Sequence, residues 1–572
     1  MFQKHFTTGR KKNIQKKNSA IAAQKKRVRT SPKEPVKIGV FASLVKSRVC
    51  VLMMLIGLGF TIIGSRMLWV GFVPVDEPES SVASMIAEVP IRGNIYDRNG
   101  LLMATTLKVQ SLYADPKMML DVHEAMRKLK KTFPDINAED LEERMSNDKR
   151  RFVWIKRQLT PVQVKQVNDL GVPGFGFKEE EARIYPHGKL FAHILGGINV
   201  DGKGLAGIEA SYNDKLAAGD DIHLTVDVRL QQQLRQSLLE NIERTEAKAS
   251  WGVVMSPKTG DIVAMVSLPD YDPNRLGEAP RDSWMNRNLK GAYEMGSIFK
   301  VFTMAEGMDE GFVTRKTELD VRKPIQIGRF KIHDFHARYG MMPMEIAFRR
   351  SSNIGAARVA DMYGPEAQQQ FFSKLGLLEP VSVGLWETGY PIIPRNWKRI
   401  QMMTMSFGHG IAITPVHMVA AVGAVVGDGL YREPNIVQGR PVTKPHRVLD
   451  EGTVPEVRYL MQDVVENGTG RNARIKGFSI GGKTGTAEKN ENGRYLDHKN
   501  LASFVGVIPA NNPEFVTLIM VDEGKEGASG GGTAAAPAYK EFAQRIIPML
   551  GLRPELNPMD ANSFEIIAAK YH

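Results

Sequence analysis

Three short motifs in a fixed order carry the chemistry of this chain: Ser297-Ile298-Phe299-Lys300, Ser351-Ser352-Asn353 and Lys483-Thr484-Gly485. They are separated by 54 and 132 residues (351 − 297 and 483 − 351). A Ser-x-x-Lys alone recurs by chance. Followed by Ser-x-Asn and Lys-Thr-Gly, it denotes acyl transfer by a serine nucleophile whose base is a lysine rather than a histidine. An unperturbed lysine has a pKa near 10.4, so holding it neutral at pH 7 costs about 3.4 units, or roughly 4.6 kcal/mol. Burial and a second nearby cation supply shifts of that size.

The residue types around each motif suit that task. Gly296 precedes Ser297, and Ile298, Phe299, Val301 and Phe302 continue as an apolar helix. Ser297 is thereby predicted at a helix N-terminus, where free N–H groups favour a developing anion. Lys300 projects from the same face one turn later and is desolvated by its apolar neighbours. Lys483 is the natural second cation. Two ammonium groups in one pocket disfavour each other's charge, so a neutral Lys300 takes the Ser297 proton while a charged Lys483 attracts a substrate carboxylate. Ser351 then relays a proton to the leaving amine, and Asn353 hydrogen-bonds Lys300 and a substrate amide. Residues 478–487 read as an edge strand to which a peptide can add, with Gly485 leaving room for its backbone. Thr484 and Thr486 offer hydroxyls to a terminal carboxylate, and the N–H groups of Ser297 and Thr486 form an oxyanion hole.

Elements must hold these groups in place. Upstream, the pattern predicts a strand over 222–226, a helix over 229–247 and a hairpin of 251–255 and 262–266. A helix over 344–350 leads into Ser351, and another over 534–550 follows the glycine-rich Gly530-Gly531-Gly532-Thr533. Nearer the N-terminus, strands are predicted over 87–95 and 109–114. A charged helical stretch runs over 121–169, broken near Pro134 and Pro161, and glycine and proline punctuate 171–207. Lys258-Thr259-Gly260 repeats the third motif, but at a hairpin tip beside Pro257, where such residues make turns. His333-Asp334-Phe335-His336 lacks a third ligand and is read as structural, so no metal is expected. The glycine-rich run lacks the lysine of a phosphate loop, and no cofactor is expected.

The net charge of +13 belongs to one end of the chain. Residues 1–48 hold fourteen Lys and Arg against the single acid Glu34, which is 14 − 1 = +13, so the remainder sums to zero. Without interleaved aromatics this tail is no nucleic-acid arm. It ends at the uncharged run 49–64, which continues past Ser65-Arg66 to about residue 73, with Arg66 snorkelling and Trp69 at the interface. The tail is too long for a signal peptide's n-region, and the run reads as an uncleaved signal anchor. The positive-inside rule places the tail in the cytoplasm and everything after about residue 74 outside. Residues 74–81 form a turn-rich acidic spacer. The only cysteine, Cys50, lies in the anchor, so the exported part has no disulfide.

On the three motifs the sequence resembles the class B penicillin-binding proteins, the peptidoglycan D,D-transpeptidases, over about residues 49–552. Arg92-Gly93-Asn94-Ile95-Tyr96-Asp97-Arg98-Asn99-Gly100, Arg183-Ile184-Tyr185-Pro186 and Gly204-Leu205-Ala206-Gly207-Ile208-Glu209 are similar to that class's pedestal. His193-Ile194-Leu195-Gly196, Phe407-Gly408-His409-Gly410-Ile411-Ala412-Ile413-Thr414-Pro415 and Lys476-Gly477-Phe478 resemble its cell-division, or septal, type. Met295, where many relatives have proline, and residues 527–532, where relatives have an aromatic-Gly-Gly, depart from the pattern.

The resemblance implies an α+β fold: a five-stranded antiparallel sheet sandwiched by helices, plus an all-helical lobe, on an elongated pedestal with a single transmembrane helix. It implies a cytoplasmic tail (1–48), an anchor (49–73), a periplasmic pedestal of the dimerisation type (74–220), a transpeptidase domain (221–552) and a C-terminal tail (553–572). It also implies the reaction. Ser297 attacks the penultimate D-Ala carbonyl of a stem pentapeptide on lipid-II-derived glycan, releases the terminal D-Ala and passes the acyl group to a neighbouring stem's amine. β-Lactams would trap the same serine. A lipid-II polymerase and other division proteins of the inner membrane are the implied partners. The alternatives are an elongation-type enzyme of the same class, a β-lactam hydrolase, a sensor or a non-catalytic scaffold.

Overall fold

A computed structural model describes residues 41–72, 91–328, 330–335, 340–491 and 494–554. The anticipated basic tail up to residue 40, the spacer 74–81, most of the C-terminal tail, and His336 lie outside these residues. So does the side chain of Trp69. The chain divides into two units, residues 1–88 and 89–572.

In the first unit Phe41–Phe72 form one helix of 32 residues that runs through Ser65-Arg66 without a break. Within it, Cys50–Leu68 is long and apolar enough to cross a membrane, with a mean hydropathy of 1.9. Nineteen residues at 1.5 Å rise span about 28 Å, close to the thickness of a bilayer's hydrocarbon core. Its two hydroxyls are satisfied inside the helix. Thr61 Oγ1 donates to Gly57 O at 2.7 Å and Ser65 Oγ to Ile62 O at 2.9 Å, as an apolar solvent requires.

The N-terminal part of the second unit is built on one long strand, Leu102–Ala114. Phe175–Ile184 pairs antiparallel along it from Thr105↔Ile184 to Ala114↔Phe175, and Val153–Leu159 pairs on its other side. Helices Val122–Thr132, Ala138–Met145 and Pro161–Asp169 pack a small core around Leu112, Leu129, Phe133, Leu141 and Val153. The expected helical stretch over 121–169 is therefore interrupted by a strand, where Val-Trp-Ile alternate faces as a half-buried strand does. The punctuated stretch 171–207 also contains a ten-residue strand. Its acidic Lys-Glu-Glu-Glu centre has low strand propensity and is extended by its partner. Ile95–Tyr96 is all of the expected strand over 87–95 that the described residues contain, and the expected strand over 222–226 shortens to Ile222–His223. These two short strands pair in parallel.

The three stretches likened to a pedestal converge on one fully buried carboxylate. Arg92 Nε donates to Glu209 Oε2 and Arg183 Nε to Glu209 Oε1, both at 2.7 Å. Tyr185 adds its hydroxyl at 3.3 Å. Arg92 Nη2 and Nη1 also reach the carbonyls of Glu209 and Gly202, and Arg183 Nη1 that of Gly93, while Arg183 Nη2 is buried without a partner among the described residues.

The C-terminal part holds the predicted five-stranded antiparallel sheet. Its order is Gly481–Glu491, Arg494–Ile508, Phe515–Asp522, Ala249–Met255, Ile262–Leu268. Alternate residues feed two cores, because side chains on a strand alternate faces. Val254, Val263, Phe504 and Ile519 pack with the helices Val228–Thr245 and Ala536–Ile546. Val253, Met265, Val505 and Leu518 pack with Lys300–Asp309, Pro415–Val426 and Thr453–Asn467. Pro415–Val426 is buried all round and is apolar for that reason. Lys258-Thr259-Gly260 lies in the turn between Ala249–Met255 and Ile262–Leu268, with Gly260 at φ +83°.

Truncating Glu209 would leave two guanidinium groups buried without their counter-charge. Glu209→Ala should lower stability by about 3–5 kcal/mol, the usual result of breaking a buried ion pair from one side. Chemical unfolding of the detergent-solubilised chain measures it, and a change under 1 kcal/mol would refute the account.

Candidate active site

Ser297 sits in a 3-10 turn, Gly296–Phe299, that runs directly into the helix Lys300–Asp309. Gly296 takes φ +53°, and a Cβ there would lie 2.8 Å from Thr486 O, so the elbow presses against the Lys-Thr-Gly strand. From the other side Gly408 crosses the elbow so closely that a Cβ would strike Gly296 O. Ile298, Phe299 and Phe302 are fully buried while Ser297 stays partly open, so the helix is anchored and its serine reachable.

Lys300 is fully buried, and its Nζ has four neighbours: Ser297 Oγ at 2.9 Å, Ser351 O at 2.6 Å, Ser351 Oγ at 3.1 Å and Asn353 Oδ1 at 2.8 Å. Two of these are carbonyl oxygens, which can only accept. A neutral amine has two hydrogens and one lone pair. In the neutral form the hydrogens can go to Ser351 O and Asn353 Oδ1, which leaves the lone pair for the hydroxyls of Ser297 and Ser351. The pKa follows the geometry. Burial drives Lys300 well below its usual value and the Lys483 charge lowers it further, while Asp334 opposes both. Lys483, equally buried, is lowered to about 7 by burial. Further along the same helix, Glu306 is buried beside Tyr363 and is pushed up to about 8, chiefly by desolvation.

Ser351 lies between the helices Met344–Arg349 and Asn353–Lys374 with φ +59°, an uncommon conformation for a residue with a Cβ. It turns the Ser351 carbonyl onto Lys300. The Ser351 hydroxyl stands between the lysines, 3.1 Å from Lys300 Nζ and 3.0 Å from Lys483 Nζ. Ser352 caps the following helix by accepting from Gly355 N at 2.9 Å. Asn353 Nδ2 donates to His333 O at 3.1 Å, which fixes its Oδ1 toward Lys300.

Gly481–Glu491 is the terminal strand of the sheet, as expected for Lys483-Thr484-Gly485. Lys483 Nζ also reaches Thr484 O at 3.0 Å and lies 5.8 Å from the Phe348 ring centroid. The role of Gly485 differs from the one expected. The space its Cβ would need is filled by Met295 O, at 2.5 Å, and by Ser503 Oγ, so the glycine admits the nucleophile turn rather than a substrate backbone. Thr484 is buried, with its hydroxyl 2.7 Å from Thr469 Oγ1, whereas Thr486 is exposed and accepts from Gly531 N at 3.1 Å. Of the two hydroxyls expected to meet a carboxylate, Thr486 is the accessible one. The helix after the glycine run is Ala536–Ile546, shorter than the expected 534–550.

Two residues near the site were given no part in it from sequence. Asp334 accepts from Ser352 Oγ at 2.6 Å and from Ile354 N at 3.0 Å. Glu294 accepts from Gly410 N at 3.0 Å and holds the loop that crosses the elbow. An aspartate between histidines draws attention as a ligand, and nothing local marks it as a cap for a helix eighteen residues on.

The Penicillin binding protein transpeptidase domain profile matches residues 251–544, and the Penicillin-binding Protein dimerisation domain profile matches 87–237. The chain is 38% identical over 483 residues to the "Probable peptidoglycan D,D-transpeptidase FtsI" of Caulobacter vibrioides, covering 81% of this chain and 82% of that one. It is 29% identical over 512 residues to the "Peptidoglycan D,D-transpeptidase FtsI" of Escherichia coli K12, covering 83% and 86%. Among solved structures, Penicillin binding protein 3 of Mycobacterium tuberculosis, complexed with aztreonam, superposes with a TM-score of 0.67 at 24% identity, covering 82% of this chain and 98% of that one.

Two expectations follow from the site. Gly485→Ala should displace the Met295–Ser297 turn and slow acylation of Ser297 by a reporter penicillin at least tenfold with the chain still folded; an unchanged rate would refute the contact. For Glu306, the folded pKa of about 8 lies above the ordinary 4.5. Its contribution is therefore fully present below about pH 4.5 and lost as pH rises through 8. Glu306→Gln should match the parent's melting temperature at pH 5 and exceed it by several degrees at pH 8.5, and equal gaps at both values would contradict this.

Proposed function

The chain belongs to the penicillin-binding protein transpeptidases, as an FtsI-type peptidoglycan D,D-transpeptidase, and on that premise we propose that it works through a serine acyl-enzyme on Ser297. The observation that carries this is the setting of the buried Lys300 Nζ, 2.9 Å from Ser297 Oγ and between the carbonyl oxygens of Ser351 and the Asn353 side chain. With its two hydrogens held by Ser351 O and Asn353 Oδ1, the neutral amine can accept from Ser297.

Lys300 takes the hydroxyl proton as Oγ attacks the penultimate D-Ala carbonyl of a stem peptide. The backbone N–H groups of Ser297 and Thr486 hold the oxyanion, and Lys483 with Thr486 holds the terminal carboxylate. When the carbon–nitrogen bond breaks, the departing D-Ala nitrogen takes a proton through Ser351, whose hydroxyl stands between both lysines. A neighbouring stem's amine then attacks the ester, gives its proton back along the same path and releases Ser297. A β-lactam enters in the same way, but its leaving nitrogen stays tethered and the serine remains blocked.

Cys50–Leu68 anchors the chain in the inner membrane, the basic tail stays in the cytoplasm, and the catalytic part lies outside. Residues 74–220 act as the pedestal and 221–552 as the transpeptidase domain. The FtsI-type relatives support work at the division septum beside a lipid-II polymerase and other division proteins.

Mass spectrometry of the chain incubated with penicillin should find one adduct on the Ser297 peptide, stable over minutes and absent from Ser297→Ala. Lys300→Met should slow its formation by about 10²–10⁴-fold, the usual contribution of a general base. An adduct lost within seconds would mean a hydrolase, and an adduct on another residue would sink the assignment.

A further inference from the structure

We propose that Asp334 is a positioning residue for acyl transfer: its carboxylate locks the start of the helix Asn353–Lys374 so that Asn353 and Ser351 hold Lys300 in its proton-accepting pose. The proposal rests on the reading of Ser297 and Lys300 as nucleophile and base.

Each oxygen of Asp334 has a separate task. Oδ2 accepts from Ser352 Oγ at 2.6 Å and Oδ1 accepts from Ile354 N at 3.0 Å, so one side chain grips residues on both sides of Asn353. The neighbouring His333 carbonyl accepts from Asn353 Nδ2 at 3.1 Å. An amide whose nitrogen is held in this way can present only its oxygen to Lys300. Without the clamp the amide can rotate and turn an N–H toward an amine that needs an acceptor. Ser351, immediately before the gripped residues, is held at φ +59°. A backbone in that region persists only where its surroundings over-determine it, and Ser352 with its two partners supplies that restraint.

The carboxylate also acts through its charge. Among the described residues two charged groups bear on Lys300: Lys483 from the strand Gly481–Glu491, and Asp334 from the loop after Phe330–Ile332. The groups that Asn353–Lys374 and the Ser351 loop present to Lys300 are neutral. Asp334 thus opposes the full loss of the Lys300 proton, and removing its charge should let Lys300 deprotonate at lower pH.

The test is the second-order rate of acylation by a fluorescent penicillin in the full detergent-solubilised chain, measured from pH 5 to 9 alongside thermal melts. Asp334→Ala should lower the plateau rate about ten- to a hundredfold, the range for losing hydrogen bonds to a charged group. Asp334→Asn keeps an acceptor for Ile354 N but not the charge. It should recover most of the plateau while moving the acid limb of the profile to lower pH. Ser352→Ala should slow acylation in the same direction, and combining it with Asp334→Ala should add little. The proposal is overturned if Asp334→Ala keeps the parent rate and profile. It is also overturned if its loss only tracks a loss of folded protein and the Asp334→Asn limb does not move. Ser297→Ala separates the layers: if that variant still acquires the label, the nucleophile assignment falls and this proposal with it. If it does not, the Asp334 variants decide alone.

Discussion

Everything in the catalytic half depends on holding an amine uncharged in a place where it is fully buried. Lys300 at the protein surface would be protonated and useless as a base. Burial alone would lower its pKa but leave its hydrogens without partners, at a cost comparable to lost hydrogen bonds. Burial lowers the pKa, and two carbonyl oxygens, Ser351 O and Asn353 Oδ1, meet the second demand by accepting the amine's hydrogens. The second buried lysine adds repulsion, so protonating Lys300 costs more still. In the proposed mechanism the same Lys483 side chain also holds the substrate carboxylate.

That arrangement requires three elements far apart in sequence to meet at van der Waals distance, and glycines make this possible. Gly296 lets the elbow approach Thr486 O, Gly408 lets a crossing loop pass over Gly296, and Gly485 makes room for Met295 O. At Gly531 a Cβ would strike the Gly485 and Ser503 carbonyls, so the segment after the last strand seals the same junction. Each of these glycines sits where backbone meets backbone, and neither backbone can yield as a flexible side chain would.

This distinction explains what could be read from the sequence. The hairpin Ala249–Met255 and Ile262–Leu268 was legible because its signal is local: two alternating apolar runs around a proline–glycine turn. The nucleophile turn was legible because Gly296, the serine and the apolar helix are contiguous. Phe175–Ile184 was not, since it is extended by pairing with Leu102–Ala114 and its own acidic centre argues against a strand. The three motifs pointed to the catalytic cluster, but not to Asp334 or to the reason for Gly485. A cap across eighteen residues and a contact with Met295 are products of the fold, and no spacing rule contains them.

The N-terminal part of the second unit, which matches the dimerisation domain, meets a related demand with the opposite charge logic. With Cys50 the only cysteine in the chain, no disulfide braces it, and its geometry must come from packing and polar contacts. Glu209 draws Arg92 and Arg183 from separate segments, and the backbone carbonyls of Glu209 and Gly93 take further guanidinium hydrogens. A buried cluster of this kind is weak evidence of net stability, but its geometric tolerance is narrow, and that suits a joint. The joint continues into the catalytic domain. Buried Asp97 accepts from Asn99 N and Leu101 N at 2.8 Å and from Val228 N at 3.3 Å, at the start of the helix that packs on the five-stranded sheet. Glu209 is completed by two cations. Lys300 is held well below its usual pKa by burial and by the charge of Lys483, while the anion that opposes them, Asp334, is bound to Ser352 and Ile354.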